Sequence, residues 1–246
     1  MASLQKNGLH VCGGTLVSET YVLTDARCFS GSINLLDWTV RLGRLTQNGA
    51  NPSEMLFNVV NIHMSSLTGN NIAVLKLSPP PTINDYIQPI CLGNRRTFPV
   101  GSECWAVGWS SGRGGEEQAL QQIQTIVQDC GDASTADIMC TRLFTQEQGD
   151  YGGPLMCKDN GTWFQTVVLS FVNTISPAAP MMTFEKLDRF QSFLEDMSLV
   201  NSSSISLSPV LLLGHLLLFA LCIQAFTQET FMLSGLQDVE QAEKNK

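Results

Sequence analysis

The chain has 246 residues, enough for one domain and a tail. Its 14 Lys and Arg stand against 22 Asp and Glu, a formal charge of −8. That balance argues against nucleic acid, whose phosphates need clustered cations. No Cys-x-x-Cys, His-Glu-x-x-His or glycine-rich phosphate loop occurs, so no metal or cofactor is expected. In chain order, Trp38–Leu42, Ala73–Leu77, Trp105–Trp109 and Thr166–Leu169 are short β-branched or aliphatic runs. Gly, Pro, Asn and Ser separate them, which predicts strands of an all-β fold. Phe184, Leu187, Phe190, Leu194 and Met197 recur every three or four residues and predict a closing helix.

The composition then shifts. Residues 198–209 read as a polar linker, and 210–226 is apolar except for Gly214, His215 and Gln224. Such a run is near the short end of a membrane span, which needs about 17–25 residues. Small residues Ser202 to Ser204 before it also suit a glycolipid-anchor signal, but the polar end 227–246 departs from one. Both readings stay open. Sequons occur at Asn160, a hairpin-tip candidate, and at Asn201, whereas Pro52 excludes Asn51. The eight cysteines fit an oxidising compartment. Met1 to His10 has no apolar core and is no signal peptide, so an upstream portion is expected. The rival reading is a short intracellular form.

Three motifs carry the functional argument: Thr24-Asp25-Ala26-Arg27-Cys28, Asn70-Asn71-Ile72-Ala73-Val74-Leu75-Lys76-Leu77 and Gly149-Asp150-Tyr151-Gly152-Gly153-Pro154-Leu155. In order and approximate spacing they resemble the histidine, aspartate and serine motifs of trypsin-like serine proteases. The resemblance covers residues 3–197, taken with the first two residues as a domain 1–197. It implies two six-stranded antiparallel Greek-key barrels, the first strand incomplete, and a C-terminal helix. It also places Arg27, Asn71 and Tyr151 at the base, acid and nucleophile positions. A guanidinium cannot accept the proton that the mechanism moves, and a carboxamide carries no charge to steady an imidazolium. A phenol of pKa about 10 with no adjacent base is a poor nucleophile.

The same resemblance implies further losses. Thr145 stands at the base of the specificity pocket, and Ser170-Phe171-Val172 stands for the substrate-binding edge, with Val172 narrowing the rim. Glu147 replaces a pocket cysteine. Asp150 lacks a family-type N-terminal ammonium in this sequence. The expectation is therefore a collapsed loop with Asp150 turned outward or towards a polar side chain, Tyr151 in the cleft, and no oxyanion hole from Gly149 and Tyr151. The implied disulfides are Cys12–Cys28, Cys104–Cys157 and Cys130–Cys140, with Cys91 a candidate free thiol. His10 reads as structural, His63 as part of an exposed turn, and His215 lies in the tail. The leading functional expectation is a catalytically inactive homologue that binds an unspecified protein, secreted or on the outer face of a membrane. The alternatives are a trypsin-like endopeptidase with residual activity and the product of a decaying or incomplete gene.

Overall fold

The computed structural model describes residues 1–67, 71–109, 118–131, 135–170 and 181–199. These fall in one compact unit, Met1–Asn201. The linker beyond Leu199, the apolar run 210–226 and the end 227–246 lie outside the described residues, as do Val172, Asn201, His215 and Cys222.

The first lobe is a closed barrel. Strands β1 (Ala2–Lys6), β2 (Leu9–Leu16), β3 (Tyr21–Asp25), β4 (Trp38–Leu42), β5 (Met55–Met64) and β6 (Ile72–Ser78) close in the order β1-β2-β3-β6-β5-β4. Short as it is, β1 pairs antiparallel with both β2 and β4, so closure does not need a longer first strand. Asn7 takes a left-handed φ of 52° in the tight turn to β2, as an Asn-Gly hairpin requires. Inward residues Leu4, Val22, Val40, Phe57 and Leu75 form the core, each nearly or wholly removed from water. The alternation is plainest in β4, where Trp38, Val40 and Leu42 are buried and Thr39 and Arg41 are not. His63 sits inside β5, opposite Val74, and not in a turn.

The second lobe is a half-barrel sheet, consistent with the trypsin-like architecture expected. Strands β7 (Cys91–Leu92), β8 (Glu103–Gly108), β9 (Gln121–Gln128), β10 (Ile138–Arg142), β11 (Pro154–Asp159), β12 (Thr162–Val168) and β13 (Met181–Glu185) form a seven-stranded sheet, order β13-β10-β9-β8-β11-β12-β7. Its β7 is a two-residue parallel addition at one edge. Among the described residues, backbone pairing joins β12 to the β13 side only at a single bridge, Val167 to Lys186, while Val167 packs with Met182 and Phe184 in the core. Phe184, read as part of the helix, belongs to β13 and is buried in the sheet's core. The helix proper is shorter: a 3-10 turn Leu187–Phe190 leads into α1 (Gln191–Asp196). Leu187, Phe190 and Leu194 bury against Val17, Leu23 and Val74 of the first lobe and Val168 of the second. The three- and four-residue spacing marked this buried face correctly. Phe184 joined it only because alternate strand positions also bury.

The disulfides Cys12–Cys28, Cys104–Cys157 and Cys130–Cys140 are formed. Cys91 is disulfide-bonded as well, which corrects the free-thiol reading. Among the described residues, no helix is long and apolar enough to cross a membrane.

Candidate functional site

Thr24 is the penultimate residue of the buried strand β3, and its hydroxyl donates to the Gly13 carbonyl at 2.7 Å. The next residue, Asp25, is 1% exposed and caps the 3-10 turn Ala26–Cys28 by accepting the Arg27 amide at 2.8 Å. Its carboxylate also takes the Arg27 side chain. Nη2 donates to Oδ2 at 2.8 Å, and Nε lies 3.2 Å from both oxygens. Such a charge-assisted fork fixes the guanidinium as well as neutralising the buried carboxylate. Asp25 was quoted in the motif without a role. The available signal was an acid two residues before an arginine at a strand end.

Asn71 faces elsewhere. Its Nδ2 donates to the Leu67 carbonyl at 2.7 Å, and its Oδ1 accepts from the Ser65 hydroxyl at 3.0 Å. The Asn71 carbonyl accepts the Ala26 amide at 3.0 Å, so the backbone still joins the two motifs. The side chain, however, pins its own loop and makes no hydrogen bond to Arg27. A crevice of about 10 Å³ touches Asn71, Asp25, Ser170 and Glu185.

The third motif enters through a 3-10 turn, Gln148–Asp150. Here Asp150 is 4% exposed and does not turn out to water, contrary to the outward alternative. It lies over Gly108, where a Cβ would overlap its carboxylate, and accepts the Glu147 amide at 2.9 Å. Burying the acid in this way satisfies part of it with backbone, as an unsolvated carboxylate requires. The turn consumes the Tyr151 amide, which donates to the Gln148 carbonyl at 3.2 Å. An oxyanion hole made from Gly149 and Tyr151 needs that amide aimed at the reacting oxygen.

His10 holds the other side of this loop. Its Nε2 lies 3.0 Å from the Gly149 carbonyl and its Nδ1 2.9 Å from Ser3 Oγ. A carbonyl can only accept, so Nε2 carries the proton and Nδ1 of the neutral ring accepts from Ser3. The ring packs edge-on against Trp109, centroids 5.3 Å apart. Burial pushes its pKa below the ordinary 6.5; the Gly149 bond and Asp150 oppose that, and Arg44 adds to it.

Tyr151 is half-buried and packs against the first-lobe core. It shares with Arg27, Lys6, Ser30, Trp38 and Gln148 a pocket of about 190 Å³ beside the Cys12–Cys28 bridge. Burial raises the phenol's pKa, an effect Arg27 offsets and Asp150 and Asp25 reinforce. Arg27 and Tyr151 thus line one pocket, while Asn71 lines a separate crevice with Asp25. Thr145 lines a separate crevice of about 10 Å³ with Phe144, Gln146, Asp150 and Leu169. Gln146 Nε2 donates to the Ser170 carbonyl at 2.6 Å across that region. Asn160 occupies the β11–β12 hairpin tip with φ 49°, exposed to solvent. Among the described residues, no cluster of His, Cys, Asp and Glu is placed to hold a metal ion.

A six-stranded barrel beside a β sheet, with the three motifs at the seam of the two lobes, defines the trypsin-like class. The trypsin family's sequence profile matches residues 1–194, and the chain belongs to that family. It is similar to human testisin, 34% identical over 197 residues covering 66% of this chain. It spans 62% of testisin's length.

Proposed function

We propose that this chain is a non-catalytic member of the trypsin family that acts by binding protein. The carrying observation is the base position itself, where the Arg27 guanidinium is clamped on the buried Asp25 carboxylate. A permanently charged, anchored cation cannot take a proton from a nucleophile. Two features support the same reading. Asn71 spends its side chain on Leu67 and Ser65, and the Tyr151 amide is internally bonded. The kept barrel and disulfides present a stable surface without the chemistry.

Localisation and modification belong to the same proposal. The apolar run 210–226 attaches the protein to a membrane, and Asn160 carries a glycan in the secretory pathway. Given a heterologous signal peptide, the full chain should sediment with membranes, whereas a chain ending at Ser208 should be secreted. Full chain in the soluble fraction would remove the attachment.

The catalytic part is tested by the triple revertant Arg27→His, Asn71→Asp, Tyr151→Ser. Hydrolysis of a peptide ester should stay about 10²–10³-fold below that of an intact trypsin-like domain, the cost of one lost oxyanion donor. Reaction of the unmodified chain with a serine-directed covalent probe, or its own turnover of the ester, would overturn the proposal.

A further inference from the structure

The pocket beside Arg27 and Tyr151 has a chemical character that the loss of catalysis does not explain. Lys6 ends β1, and its ammonium sits 5.5 Å from the centroid of the Trp38 ring. Trp38 is 3% exposed, so its position is fixed by the barrel core. Lys6 has no ion pair to a carboxylate among the described residues, whereas Asp25, the pocket's one lining acid, is taken up by Arg27. Across the space stand Arg27, the Tyr151 phenol and the Ser30 hydroxyl. At neutral pH the phenol keeps its proton, since burial raises its pKa. It therefore faces the pocket as a hydroxyl and not as an anion. Lys6, the Arg27–Asp25 pair and two hydroxyl groups line one small space, which leaves it one net positive charge in a protein whose formal charge is −8.

Size and lining narrow the ligand. About 190 Å³ is below the roughly 300–1,000 Å³ of sites for drug-sized ligands, and suits one side chain. Val11 and the Cys12–Cys28 bridge offer apolar wall to a methylene stem, which a bare inorganic anion lacks. We propose that this pocket receives the carboxylate side chain of an acidic segment in a partner protein, with Lys6 and the Asp25-anchored Arg27 as its cationic walls. The inference rests on the protein-binding reading above and names the chemistry of its partner.

The test titrates the ¹⁵N-labelled full chain, disulfides formed, with acetyl-Gly-Glu-Gly-amide, with its Gln counterpart and with sodium acetate. The Glu peptide should shift the amides of Lys6, Cys28, Ser30 and Tyr151 and bind about fivefold tighter than the Gln peptide, the scale of one partly exposed charge pair. Lys6→Met should abolish that preference and Lys6→Arg should keep it, with both variants melting like the parent. Equal binding of the two peptides, acetate matching the Glu peptide, shifts centred elsewhere, or an unaltered preference in Lys6→Met would each overturn the pocket's assignment. Ester hydrolysis is measured on the same samples. Turnover with the Glu preference intact would sink the non-catalytic reading alone, and loss of the preference without turnover would sink this one alone.

Discussion

The two lobes are held together by different means. In the first, six strands close on each other, and the hydrogen-bond ladder leaves no open edge. In the second, the described ladder runs open over seven strands, and two of the three disulfides with identified partners staple it, Cys104–Cys157 and Cys130–Cys140. The contrast also falls on the site. Arg27 and Asn71 are fixed inside the first lobe by short-range bonds, whereas Tyr151 belongs to a turn of the second that leans on the first. There the Gly13 amide donates to the Tyr151 carbonyl at 2.8 Å, and the Gly152 amide to the Leu169 carbonyl at 2.7 Å. Arg27 and Asn71 are held by local bonding, and Tyr151 is held by the seam.

The largest expected effect tests whether cross-links replace closure. Replacing Cys104 and Cys157 by Ala opens a loop of 53 residues and should cost about 4 kcal/mol. The same change at Cys12 and Cys28, 16 residues apart, should cost about 3 kcal/mol. Urea unfolding gives both values. A larger loss in the first lobe would break the comparison.

Next comes the seam. Gly152 has φ 85°, and a Cβ there would collide with the Thr24 hydroxyl and the Gly13 carbonyl of the first lobe. Gly152→Ala should cost at least about 3 kcal/mol, read as a lowered melting temperature. A neutral outcome would show that the two lobes do not meet this closely.

Arg27→Ala tests the clamp. It strands a buried carboxylate, discounted because Arg27 is 35% exposed, and should cost about 2 kcal/mol. Asn71→Ala, which removes only loop bonds, should cost about 1 kcal/mol. The reverse order in chemical denaturation would put the site's weight on Asn71.

The smallest effect is the pH response of His10. Its folded pKa lies below the ordinary 6.5 because of burial, so the unfolded chain binds the proton first. Stability from this ring is complete above about pH 6.5 and falls as pH drops through that value towards the folded pKa. Urea midpoints between pH 7 and pH 5 should therefore decline, and His10→Gln should flatten that slope. A rise on acidification would show the ring to be stabilised as a cation.

Much of the fold was legible because strand periodicity is a local property. The run Trp38–Leu42 became β4 with the same bounds, since alternate burial of Trp, Val and Leu is written in adjacent residues. The three disulfide pairings implied by the resemblance formed, and Cys104 and Cys157 face each other in the β8–β11 ladder. Phe184 misled because a strand entering a helix places apolar residues at spacings that fit either. His63 was misplaced because nothing local says how far an edge-rich strand such as β5 continues.

The sequence by itself determined which groups the three motifs carry, since a residue's proton chemistry travels with its identity. It also determined the family and the acidic net charge. Only the tertiary structure decided where those groups point. Asp25 was one acid among 22 until the barrel buried it under the Arg27 guanidinium. Asp150 faced either water or protein until Gly108 made room for its carboxylate. Lys6 and Tyr151, far apart in the chain, met at one pocket because β1 and the loop before β11 converge on the Cys12–Cys28 bridge. Orientation and burial are set by contacts between residues distant in sequence, and such contacts have no local signature.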